Sequence, residues 1–257
     1  MNGFFIAVSS FFRVFNVVHK YRLWSFYYLP LIFNLVLYLL YHYSLSKVFD
    51  SSANIFLEKL YSFLNLGEEG FWVSILSFCF LIIKFIVLHF VVVYTFQFIS
   101  LLFLSPLYSL ISESLLNKMN NSNRSFNLKQ FVSDVKRGIG LAFRNLFLQL
   151  LISVPVLLLS FIFPPIIFFG FIVSAYFYGF SMIDYRNEYY NLSIKDSINF
   201  IRQNKGFAIG VGTMYLMMFT FLSSIGMTFV AILFVPVICI VASVIGLEKM
   251  KSDNSKK

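Results

Sequence analysis

"RNLFLQLLISVPVLLLSFIFPPIIFFGFIVSAYFYGFSMID", Arg144 to Asp184, holds no charged residue between its two ends. Two apolar runs, Leu146 to Phe163 and the return to Ile183, flank the pair Pro164-Pro165. Proline lacks an N–H and disfavours helix before it, so two in succession turn the chain. The stretch reads as an apolar helical hairpin. Each limb is about 18 to 20 residues, close to the roughly 20 that a crossing needs. Pro155 and the abrupt turn also allow a shallow hairpin that enters only half of the bilayer. With no charge at the tip, Pro164-Pro165 is expected inside the bilayer or at its far edge.

The same scheme occurs twice. Upstream of the hairpin, Asn127 and Gln130 form a capping-box pattern. The helix they open has Leu128, Phe131, Val132, Val135 and Ile139 on one face and Lys129, Asp134, Lys136 and Arg137 on the other. Downstream, Ser193 caps a helix with Asp196 at its third position and Ile194, Ile198 and Ile201 on its apolar face. Gly206 leads into a run ending near Ser223-Ser224, Gly226 marks a turn, and a second run returns to Gly246. "NLKQFV" (Asn127–Val132) parallels "SIKDSI" (Ser193–Ile198). Internal repeats of this kind are common in transporters.

Composition sets the class. Of the 257 residues, 59% are hydrophobic and 12% charged, against about 25% charged in soluble domains. The chain reads as an all-α integral membrane protein with one membrane domain, residues 1–250, and a charged, disordered tail after Glu248 that takes in 251–257. Cys79 and Cys239 lie in apolar segments without metal or redox spacing, and His19, His42 and His89 are scattered. There is no nucleotide, dinucleotide or zinc-protease motif, so neither an enzyme nor a cofactor is expected. The net charge of +9 follows from orientation in a membrane, not from nucleic-acid binding.

Toward the N-terminus, Ser9, Arg13, Asn16 and Lys20 form one polar stripe on the apolar segment 3–22. This predicts an amphipathic helix in the membrane interface. Leu23 to Tyr43 reads as the first span, Ser44 to Gly70 as a polar loop, and Phe71 to Leu104 as a second, over-long span. In "SPLYSLISESL" (Ser105–Leu115) Pro106 breaks that span, and a new helix restarts there. The segment before the first span is +3 (Arg13, Lys20, Arg22), the 44–70 loop is −2, and residues 105–144 are +4. Residues 184–205 and the tail are also basic. The basic segments, with both termini, are predicted to be cytoplasmic.

The order of these elements resembles the CysZ-type sulfate permease family, which shares a domain with an etoposide-induced membrane protein. "GFFIAVSSFFRVF" and "YYLPLIFNLVLY" (Leu29, Pro30, Leu31, Asn34) resemble its N-terminal helix and its Leu-Pro-Leu-x-x-Asn first span. "SPLYSLISESL" resembles its Pro-x-x-Gly-Leu-Leu-Ala-Glu segment through Pro106, Leu110 and Glu113, with Ser109 in place of Gly and Ser112 in place of Ala. "MIDYRNEYYNLSIKDSINFIRQNKGFAIGVG" carries Asp184 and Tyr185, and "LFVPVICIVAS" carries Pro236 of the final limb. The resemblance covers roughly residues 3 to 250. It implies two long spans, two hairpins inserted partway, homo-oligomers in a bacterial inner membrane, and uptake of sulfate or a related anion.

Candidate site residues follow. A helix restarted at Pro106 presents the N–H groups of Leu107, Tyr108 and Ser109, and helix starts favour anions such as sulfate. Glu113 either pairs with a cation to organise this segment or is a solvated interfacial charge. Lys84, deep in the second span, either lines a conduit or snorkels to a boundary. Asp184, Arg186 and Glu188 form either an ion-pair latch with Lys136, Arg137 or Arg202, or a solvated loop. The alternative to a permease is a membrane-organising or scaffold protein of the same fold.

Overall fold

The computed structural model describes residues 3–22, 24–63, 70–71, 73–84, 104–122 and 128–254. The capping box at Asn127, His89 and most of the second span lie outside the described residues. The chain divides into two compact units, one of Met1–Asn34 with Leu101–Lys257, the other of Leu35–Ser100. All regular structure among the described residues is helical. Leu31–Ser62, Lys136–Ser160, Pro164–Tyr189, Lys205–Ser224 and Val230–Asp253 are long and apolar enough to cross a membrane.

The N-terminal segment is two short helices, α1 (Gly3–Phe11) and α2 (Val14–Lys20), not the single interfacial helix the polar stripe suggests. Ile6, Ala7, Phe11, Val14 and Val18 are buried, because α1 packs on the last two helices of the chain. The outer side still has an interfacial composition. Phe5, Phe12 and Phe15 are exposed beside Arg13, Asn16 and Lys20, which suits a surface between acyl chains and headgroups.

Helix α3 runs from Trp24 to Phe63, so the expected loop at Ser44 is helical to residue 63. The reason is in the sequence: no Gly or Pro occurs between Leu31 and Leu66, and polar residues alone do not end a helix. In the second unit, α3 runs antiparallel to α4 (Val73–Lys84). Asp50 pairs with Lys84, Phe56 stacks on Phe80 with centroids 5.5 Å apart, and Tyr61 bonds Ser77 at 2.5 Å.

Helix α5 (Ser105–Asn120) has Pro106 in its first turn and ends on Asn121 in the left-handed region, φ 50°. Helix α6 (Leu128–Ser160) joins amphipathic start and apolar limb in one rod. A 3₁₀ turn at Pro164–Ile166 reverses the chain into α7 (Ile167–Tyr189). Ser193 caps α8 (Ile194–Gln203) by accepting the Asp196 N–H. The second hairpin is α9 (Lys205–Ser224) and α10 (Thr228–Asn254), joined at Gly226, φ +78°. Residues 251–254, expected in a disordered tail, continue α10.

The core of the first unit is formed by α7, α9 and α10. Within the most apolar stretch of each helix, 78% of residues are buried in α10 and 22% in α6, so α6 is the outer limb. Helices α7 and α9 touch backbone to backbone. A Cβ on Gly179 would overlap the Ala208 carbonyl oxygen, and one on Gly212 would overlap that of Ala175. Ala175 with Gly179, and Ala208 with Gly212, are thus two small-xxx-small pairs facing each other, the means by which membrane helices pack closely. On α9, Gly210 admits α1: a Cβ there would lie 2.8 Å from that of Ala7.

A further tie joins two segments distant in sequence. Pro236 lies inside α10 and has no N–H for the carbonyl four residues back, that of Ile232. The Asn34 side chain, buried in the same unit, donates to the Ile232 carbonyl at 2.9 Å. The asparagine of the first span thus makes the hydrogen bond that the proline of the last helix removes.

Candidate functional site

The charged ends of α6, α7, α8 and α10 converge on two buried clusters. In the first, Arg137 of α6 reaches Asp184 of α7 through both terminal nitrogens, Nη2 to Oδ1 at 2.7 Å and Nη1 to Oδ2 at 3.2 Å. Nη1 also lies 3.4 Å from Glu188 Oε1. Residues 184 and 188 are four apart on a helix and so share a face; one guanidinium serves both. The Ser197 hydroxyl of α8 donates to Asp184 Oδ1 at 2.5 Å and accepts from Asn187 Nδ2 at 2.9 Å. Gly138 leaves room at the α5 end: a Cβ there would stand 3.5 Å from Glu188 Oε1 and 3.7 Å from Ser105 Oγ.

The second cluster ties α7 to α10. Arg186 Nε and Nη2 both donate to Glu248 Oε1, at 3.0 and 2.8 Å, and the Tyr190 hydroxyl donates to the same oxygen at 2.9 Å. The Arg186 guanidinium also lies over the rings of Tyr190 and Phe200, 4.5 and 5.5 Å from their centroids. Burial first, then the bond to Glu248, holds the Tyr190 phenol above its ordinary pKa.

Charge-assisted, bidentate bonds of this kind are the strong ones. Breaking one partner of a buried pair costs about 3–5 kcal/mol, because the other charge is left uncompensated. Together the clusters fasten the base of the first hairpin to both α8 and α10. Of the cations considered from sequence, Arg137 is the partner of Asp184 and Glu188, while Lys136 and Arg202 are exposed. Arg186 pairs elsewhere, with Glu248. Sequence reasoning missed Glu248, Ser197, Asn187 and Ser105. A clue existed for Ser197, which is buried one position after the first-turn Asp196; for Glu248 no local pattern marks a partner 62 residues away.

The start of α5 differs from the sequence expectation in one respect. Tyr108 N–H donates to the Leu104 carbonyl at 2.9 Å, so it belongs to the helix's own ladder and is not an anion donor. With α5 beginning at Ser105, the helical pattern likewise directs the Ser109 N–H to the Ser105 carbonyl. Of the backbone groups named, Leu107 N–H has its helical acceptor position at Phe103, which lies outside the described residues. The Tyr108 side chain is fully buried, its ring edge-on to Tyr185 with centroids 5.7 Å apart. Pro106, Leu107, Ser109 and Glu113 are half-buried. Lys84 is in the other unit, paired with Asp50, a partner the loop reading of 44–70 concealed.

Residues 10–243 match the family described as sulfate transporter CysZ/etoposide-induced protein 2.4. No curated protein matches the chain. The match takes in the first span, the α5 restart, the first hairpin, the second hairpin as far as residue 243, and the paired Asn34 and Pro236. This multi-pass, all-helical membrane chain belongs to the sulfate transporter CysZ/etoposide-induced protein 2.4 family.

Proposed function

We propose that the protein is a permease for sulfate or a related small inorganic anion in a bacterial inner membrane, acting as a homo-oligomer with its basic ends in the cytoplasm. The family match over residues 10–243 carries this reading. The fold supports it in a specific way. The two hairpins are fastened at one end by the Arg137–Asp184–Glu188 and Arg186–Glu248 clusters. Beyond that end, the first hairpin leads to a tip with no polar side chain, where Phe161 and Ile162 are exposed. A chain fixed at its charged base and free of charge at its tips suits passage of a solute between or beside the hairpins. Among the described residues, Arg13, Lys20, Lys118, Lys195, Arg202 and Lys205 are exposed cations that would attract an anion.

The clusters themselves act as a latch. Asp184 and Glu188 around Arg137 make an unfavourable place for a dianion, so these residues position helices and leave anion contact to neutral donors, Leu107 N–H and the Ser109 hydroxyl among them. The test is reconstitution. Purified protein in proteoliposomes should take up radiolabelled sulfate above empty liposomes, and sulfate should bind in calorimetry. Absence of both in folded protein overturns the permease reading and leaves the scaffold reading in its place.

A further inference from the structure

The first acidic residue of the chain is Asp50. Well ahead of it, α1 and α2 turn one side to the core through Ile6, Ala7, Phe11, Val14 and Val18 and leave the other exposed. On the exposed side Phe5, Phe12 and Phe15 keep 64, 78 and 63% of their surface. Arg13, Asn16 and Lys20, at helical spacings of three and four, run beside these rings and are exposed as well. Three large aromatic rings on a pair of short helices make a poor surface for water and a good one for acyl chains.

The cations at the end of α2 gather around one residue, Tyr21. Lys20 lies over the Tyr21 ring, its ammonium 5.3 Å from the centroid. Lys118 comes from α5, 97 residues along the chain, and its ammonium donates to the Tyr21 carbonyl at 2.7 Å. Arg22 follows directly, in the left-handed region at φ 49° where the chain leaves α2, and is exposed. What brings Lys20 and Lys118 to this place is a ring face and a carbonyl, neither of which carries a net charge. No ion pair among the described residues includes Arg13, Lys20 or Arg22.

We propose that this corner, Arg13, Lys20, Arg22 and Lys118 beside Phe12 and Phe15, is a binding site for the headgroup of an anionic phospholipid. Charge complementarity selects the occupant. An anionic phosphodiester supplies the counter-charge that the first 49 residues lack, whereas a choline headgroup carries its own ammonium and supplies none. Rings and cations then engage the same molecule, Phe12 and Phe15 its acyl chains, the basic side chains its phosphate. Because Lys118 belongs to α5, a lipid held there bridges α2 to the helix that restarts at Pro106. The inference stands independently of the permease reading.

The test uses the full chain in a neutral detergent. Short-chain phosphatidylglycerol or phosphatidylcholine is titrated in, retained lipid is read by native mass spectrometry, and the thermal midpoint is followed in parallel. Wild type should hold phosphatidylglycerol in preference to phosphatidylcholine. A basic side chain at a membrane surface is worth a factor of about five, so Lys20→Gln and Arg22→Gln should each weaken phosphatidylglycerol binding about five-fold, and together about 25-fold. Both side chains are exposed, so the lipid-free midpoint should not move. The paired change Lys195→Gln with Arg202→Gln removes the same charge from α8 and should leave the preference intact. Equal loss from the two double variants would make the preference a general charge effect and overturn the site. A wild type that holds both lipids alike, or a Lys20/Arg22 double change without effect, would overturn it too. If inorganic phosphate at the same concentration displaces phosphatidylglycerol, the corner takes a free oxyanion and the lipid assignment falls. Sulfate enters none of these measurements, so failure here leaves the permease reading untouched.

Discussion

The bond between Asn34 and the Ile232 carbonyl makes a quantitative claim about why these two segments meet. Pro236 deprives Ile232 of its helical donor, and Asn34 restores one at 2.9 Å in a buried site. Asn34→Leu keeps most of the volume and strips the donor, leaving a buried carbonyl without its partner. Leaving a buried polar group unsatisfied costs about 1–3 kcal/mol. Interhelical bonds within membranes average nearer about 0.6 kcal/mol, with about 1–2 in model peptides. Because Pro236 removes the carbonyl's own alternative inside the helix, the upper part of that range applies, about 1–2 kcal/mol. For a chain of this size that is a fall of about 2–8 °C in midpoint.

The discriminating measurement is a double-mutant cycle. Pro236→Ala returns an N–H to position 236, which can bond the Ile232 carbonyl within α10. In that background the carbonyl no longer depends on Asn34, so Asn34→Leu should cost much less, and the coupling between the two changes should be about 1 kcal/mol. Unfolding of detergent-solubilised protein, followed by helical circular dichroism, gives the four stabilities. Independent sites add within about 0.3–0.5 kcal/mol. Additivity within that margin would refute the reasoning, since Asn34 would then stabilise the fold by some other contact than the one Pro236 calls for.

Gly212→Ala and Gly179→Ala should fail to give folded protein or lower its midpoint sharply, because the new methyl overlaps a facing carbonyl; Gly140→Ala, with nothing within 4 Å, should be neutral or stabilising by up to about 1 kcal/mol, and size-exclusion profiles with thermal melts check both. Arg137→Ala should destabilise by about 3–5 kcal/mol, while the double change Asp184→Asn with Glu188→Gln should recover part of that loss, measured by the same melts. With Cys79 and Cys239 replaced by Ser, single cysteines at Ser52 and Ser122 should report orientation in intact cells: an impermeant thiol reagent labels Ser52→Cys and spares Ser122→Cys, and the reverse pattern overturns the assignment.

What the sequence revealed and what it hid divide along a physical line. Breaks and caps are local. Pro164-Pro165, Pro106 and the Ser193/Asp196 cap act through one residue's missing N–H or one side chain's reach, and each stands where the residues put it. Continuity was harder to read. Polar residues from Ser44 onward looked like a loop, yet with no Gly or Pro before Gly67 nothing stops α3, which runs to Phe63. Residues answering to a partner far along the chain were hidden altogether. Gly179 and Gly212 are small because each faces the other helix's carbonyl, and Glu248 matters because Arg186 comes to it. Asn34 and Pro236 show what would be needed to see such pairs. Each is individually ordinary, an amide in a span and a proline in a helix. Only their opposite deficits, a donor without an obvious acceptor and a carbonyl without its donor, say that they belong together. A buried polar group in a membrane helix is therefore best read as half of a pair, with the other half sought at the nearest proline.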